Sequence, residues 1–260
     1  MPIINTDMTD AKIDLGPTGL CMHRAHTNPI RQFQVFGERG SGTNVIRKTL
    51  QLNVKMKRVE SLGWKHGFPQ MVAIPNNLLV ICVVRDAWRW AQSMHKRPWH
   101  SEPDLQELSF SDFIRAEWRS IVDRPTDFEM LHDELTVDGV PLQFDRHPIT
   151  GKRFENLFAL RTAKLQALAG FANRNCSFLY VTLESFNEDP EGFVKTVCET
   201  YDVARRPREF RFVERRMGNL HNRSVKLADL GSKDGAQSDF AFMAQQLDHD
   251  LEALFGYSYV

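Results

Sequence analysis

The sequence predicts a three-layer α/β/α fold with a mostly parallel central sheet, and three observations predict it. A short strand-like segment ending in Val35-Phe36 breaks into the loop Gly37-Glu38-Arg39-Gly40-Ser41-Gly42. Val45, Ile46, Thr49, Leu50 and Asn53 then recur near helical spacing. Residues 78–84 are seven unbroken apolar residues rich in β-branched types, the signature of a strand buried on both faces. Strand and helix patterns then alternate through the second half of the chain, which is the order that a sheet covered by helices requires.

The 260 residues, 42% of them hydrophobic, supply one large core, so a single domain spanning 1–260 is expected. Lys+Arg and Asp+Glu are equal at 33 each, and the chain carries no global field to draw nucleic acid or an acidic membrane. Cys21, Cys82, Cys176 and Cys198 lie far apart with no Cys-x-x-Cys pair. They read as reduced thiols, which points to a reducing, cytoplasmic setting. Residues 1–16 carry Asp7, Asp10 and Asp14 and no apolar segment, unlike a secretory signal. The longest apolar run is far too short to span a bilayer.

Taken in order, residues 1–31 read as polar and irregular. Within them Cys21-x-His23-x-x-His26 offers three donors with no fourth nearby, so no metal is expected. After the first strand and helix, residues 57–69 read as a short strand carrying Val59, Leu62 and Trp64 and ending in the polar corner Lys65-His66-Gly67. The 78–84 strand stops at Arg85-Asp86, and Asp86 caps a helix over 87–95. From 97 to 153 the pattern loosens. A helix is expected over 109–122 and a turn at Val137-Asp138-Gly139-Val140; the segment is either a lid or substrate-binding insertion or a solvated excursion. An amphipathic helix follows at 154–171 and a strand at 177–183. Asp189-Pro190-Glu191 opens a helix reaching Tyr201, and a last helix covers 237–255.

Ligands bind such sheets at the carboxyl ends of the strands. There the first loop has the small residues and free helical N–H groups that hold an anion. Gly37-x4-Gly42 has the spacing of a nucleotide-triphosphate loop, yet that motif continues with Lys and then Ser or Thr for magnesium, where this chain has Thr43 and Asn44. The loop therefore suits phosphate groups without a bound metal. The same rule gathers Lys65-His66 and Arg85-Asp86 beside it, with Ser93 two turns into the following helix, so that Arg85 and Ser93 can grip one phosphate from two sides.

Together these pieces resemble the sulfotransferase family. Residues 37–44 look like the loop that holds the 5′-phosphosulfate of PAPS (3′-phosphoadenosine 5′-phosphosulfate), and Val83-Val84-Arg85-Asp86-Ala87-Trp88-Arg89-Trp90-Ala91-Gln92-Ser93 resembles the 3′-phosphate motif. Segments 157–164 and 180–191 are similar to the family's second half. The resemblance implies a P-loop type of nucleotide-binding fold and transfer of a sulfuryl group from PAPS to a hydroxyl or amine of a small-molecule acceptor, leaving adenosine 3′,5′-bisphosphate, with no metal required. It assigns cofactor binding to Arg39, Gly40, Ser41, Gly42, Thr43, Asn44, Arg85 and Ser93, and catalysis to His66, Lys65 and Arg39.

His66 is the expected general base, with His95, His100 and Glu38 as fallbacks. The family usually has Lys where this chain has Gly40, and Arg39 is expected to supply the missing charge. The late arginines (Arg205, Arg206, Arg208, Arg211, Arg215, Arg216, Arg223) offer further 3′-phosphate ligands or a solvated face, and Trp64, Trp88 and Trp99 suggest an aromatic-lined acceptor cleft. Two other readings stay open: an ATP-dependent kinase with this loop, and a non-catalytic nucleotide-binding protein that keeps the fold.

Overall fold

The computed structural model describes residues 13–71, 73–128, 137–213 and 233–259. Its centre is a five-stranded sheet in the order β1-β5-β4-β2-β3, built from β1 (Leu20–His23), β2 (Gln32–Phe36), β3 (Lys57–Arg58), β4 (Leu78–Val84) and β5 (Ser177–Thr182). β2, β3, β4 and β5 run parallel, with Val35 opposite Ile81 and Cys82 opposite Tyr180. β1 closes one side antiparallel to β5. The sheet is mostly parallel, as the sequence implies.

β4 explains why both faces are covered. Alternate residues point to opposite faces of a strand, and all seven of its residues are buried. Leu79, Ile81 and Val83 join a core with Ile46 and Leu50 of α1 (Thr43–Asn53) and Val194 and Val197 of α7 (Pro190–Tyr201). Val80, Cys82 and Val84 meet Leu165 and Leu168 of α5 (Leu157–Ala169) and Leu251 of α9 (His249–Leu254). Each such side chain is worth roughly 1.5–3 kcal/mol on burial.

Several elements differ from their sequence reading. β1 falls where an irregular tail is expected, because its four residues gain a partner only from the distant β5. β3 is two residues long; beyond it the chain turns, and Leu62 and Gly63 are fixed by the buried Gln34 side chain, which accepts from the Leu62 amide at 2.9 Å. The helix expected over 109–122 is α4 (Phe110–Arg115) alone, preceded by α3 (Pro103–Gln106), since Trp118 leaves the helix to bridge Phe154. Leu183 leaves β5 to begin α6 (Leu183–Glu188). The last helix is two, α8 (Lys233–Gln246) and α9, with Asp248 capping the second through the Leu251 amide. α2 (Ala87–Lys96) starts as expected, with Asp86 accepting from the Arg89 amide.

Much of the described part of the 97–153 segment is buried. Phe113, Ile114 and Trp118 share a core with Trp90 and Phe158, and Val122, Phe128 and Leu142 pack around Trp64. The Val137–Val140 turn folds back, the Val122 amide donating to the Val140 carbonyl at 2.8 Å. Among the described residues no helix is long and apolar enough to cross a membrane.

Candidate functional site

The loop after β2 is built from residues that only glycine can serve. Gly40 and Gly42 sit at φ 77° and 95°, where a side chain costs about 1–2 kcal/mol. A Cβ on Gly37 would lie 2.4 Å from the Val83 carbonyl oxygen, a backbone atom that cannot step aside. Gly37→Ala should therefore lower the unfolding midpoint and shift the β4 tip. Thermal denaturation checks this, and a wild-type midpoint would show that the approach is softer than this spacing.

Three polar corners meet here. The Gly37 amide donates to the Lys65 carbonyl at 3.0 Å, and His66 Nδ1 lies 2.6 Å from the Gly37 carbonyl. Arg85 Nη1 donates to the Gly40 carbonyl at 2.8 Å. Ser93 Oγ is 3.0 Å from where a Gly40 Cβ would stand. Arg85 and Ser93 thus both converge on Gly40, from the β4 tip and from α2.

The helix that follows is open at its start. Asp86, Asn156 and Asp189 each cap their own helices, whereas α1 begins at Gly42 with no side-chain cap. Its first-turn N–H groups point back towards the loop. Ser41 faces inward, its hydroxyl donating to the Glu38 carbonyl at 2.6 Å. Thr43 is buried. Asn44 takes a hydrogen bond from Lys65 Nζ at 2.7 Å, so the turn at 65–66 delivers an ammonium group to the helix start that the loop's own sequence lacks. Burial, with Arg47 adding to it, lowers the Lys65 ammonium to about 8.

His66 carries its proton on a fixed side. A carbonyl can only accept, so Nδ1 is the N–H that donates to Gly37, and Nε2 keeps the lone pair. No described residue bonds Nε2. Burial first, and Lys65 next, hold the imidazole well below the usual histidine range, so it is neutral at pH 7.

Arg39 is not the loop's free cation. Its guanidinium is 4% exposed and meets Asp145 Oδ2 at 2.5 Å, near the rings of Trp64 and Trp118. Asp145 also accepts from Lys164 Nζ at 2.5 Å and from the Trp118 indole at 3.1 Å. Burial alone would raise the Asp145 carboxyl, but Arg39 and then Lys164 hold it well below the usual carboxylate range.

The fallback bases have other partners. His95 meets the Leu108 carbonyl at 3.0 Å between Phe110 and Phe113. His100, at φ 59°, lies between Asp123 and Asp127 at 3.0 and 3.2 Å. Glu38 pairs with Arg161 at 3.2 Å, and burial pushes its carboxyl up to about 7 against that attraction. His23 stacks on Phe178, and His26 Nε2 meets the Asn175 carbonyl. Arg206 and Arg208 donate to Gln51 and Leu52 carbonyls in the last turn of α1. That end is roughly 15 Å from the loop by helix rise, while Arg205 pairs with Glu191. Arg215, Arg216 and Arg223 lie outside the described residues.

Sequence reasoning missed Arg161 as a site residue. It is fully buried on α5. Its signal was a pair of cations, Arg161 and Lys164, on the face of the helix that also carries Leu157, Leu160, Leu165 and Leu168. What the geometry defines is an α/β chain whose first loop, 65–66 turn and β4 tip form one polar corner. No protein-family model matches the chain, and no curated protein or solved structure matches it significantly.

Proposed function

We propose that this chain is a PAPS-dependent sulfotransferase acting on a hydroxyl or amine of a small-molecule acceptor, with a P-loop type of nucleotide site. The observation that carries the reading is the convergence of Arg85 and Ser93 on Gly40, which puts the two motifs in one corner. The donor set suits a doubly phosphorylated adenosine. The loop supplies positive-φ glycines and uncapped helical amides for one anionic end. At the other end Arg85 Nε is buried without a partner among the described residues, a donor that an oxyanion would satisfy.

When bound, PAPS supplies the sulfuryl group and a bisphosphate leaving group. The chain's own residues do the rest. Lys65 holds positive charge at the start of α1, in the role expected of Arg39, whose guanidinium is buried against Asp145. His66 offers Nε2 to receive the acceptor's proton. Small residues of the loop let the backbone amides approach charge as it develops on the leaving oxygen.

Arg85→Met tests the nucleotide half. A charge-assisted hydrogen bond is worth about 1.5–3 kcal/mol, so affinity for adenosine 3′,5′-bisphosphate should fall roughly 10- to 150-fold by calorimetry. Stabilisation of the wild type by ATP with magnesium, and none by the bisphosphate, would favour a kinase and overturn the proposal.

A further inference from the structure

Arg161 touches two of the three parts of the corner, the loop and the β4 tip. Its Nη1 donates to Glu38 Oε2 of the loop at 3.2 Å, and its Nη2 to the Arg85 carbonyl at the β4 tip at 2.9 Å. Glu252 of α9 holds the same guanidinium from behind, through Nε at 2.6 Å and Nη2 at 2.8 Å. The guanidinium lies over the Trp90 ring, and that indole donates to the Arg39 carbonyl at 2.9 Å. The loop is thus pinned at Glu38 and Arg39 by two side chains stacked on one another. A buried ion pair adds little net stability over apolar packing, whereas a planar fork with fixed donors sets relative geometry well.

We propose that Arg161, locked by Glu252, is the positioning residue of this corner, fixing the distance between the loop and the β4 tip. The nucleotide arm of its test rests on the function proposed above; the geometric arm does not. The cluster holds two carboxylates, Glu38 and Glu252, for one guanidinium, with Lys164 and Arg39 near Glu38. Among the described residues Glu38 Oε1 is buried without a partner, so the loop carboxyl relies on Arg161 as its one direct hydrogen-bond donor.

Deleting Arg161 outright would strand two buried carboxylates, so the test uses Glu252→Gln and Arg161→Lys in the full chain. Amide hydrogen exchange on the ligand-free protein should show ~10-fold faster exchange across 37–43 in both variants, with β4 and β5 amides at wild-type rates. Affinity for adenosine 3′,5′-bisphosphate should fall by a similar ~10-fold factor, about that of one lost hydrogen bond. Unchanged loop exchange, or equal acceleration throughout the sheet, overturns the positioning role. So does wild-type affinity in both variants. If the wild type itself ignores the bisphosphate, the proposed function fails and the exchange result alone decides the role of Arg161.

Discussion

Asp145→Ala is expected to be the most damaging single change, costing about 3–5 kcal/mol of stability. The carboxylate is the shared partner of Arg39 and Lys164 and is fully buried with both. Removing it leaves two cations out of water, close together and without compensation. The loss of the Trp118 indole bond adds to this. Chemical denaturation would measure it, and a cost below about 1 kcal/mol would mean that the cations find water or other partners. The pH dependence follows from the depressed carboxyl. Because its folded value lies below its unfolded value near 4, the stabilisation is complete above that pH and drains away as pH falls towards the folded value. The Asn variant at this position should flatten that acid limb.

His66→Ala should lower sulfuryl-transfer turnover by roughly 10²–10⁴-fold, the usual contribution of a general base. Affinity for adenosine 3′,5′-bisphosphate should stay near wild type, since the ring's bond is to the Gly37 carbonyl and not to the donor set at Arg85. The pH profile offers an independent check. A base works deprotonated, and this imidazole is held well below the ordinary histidine value, so activity should persist under pH 6.5 before it declines. Turnover at the wild-type rate in the variant, or an acid limb above 6.5, removes His66 from the mechanism.

The parts of the fold that could be read from sequence are those decided locally. β4 and α7 announce themselves by an apolar run and by Asp189-Pro190, and both stand where expected. The convergence of 37–42, 65–66 and 85–93 was also legible, because chain order in a parallel sheet sends strand ends to one edge. β1 was not, since its pairing partner lies more than 150 residues away. Nor was the fate of Arg39: a glycine-rich loop advertises positive charge as ligand-facing, and only the fold brings Asp145 from a distant irregular segment to claim it. Arg161 was hidden for the same reason. Its three partners, Glu38, Arg85 and Glu252, come from three separate stretches of chain.

The sheet's outer strands carry one last consequence. β3 offers two residues and β1 four, against seven in the central β4. An incoming strand from a neighbouring molecule would find little ladder to extend on either flank, so fibre growth by edge addition gains few hydrogen bonds. The long apolar strand that would be the best template is shielded in the middle of the sheet.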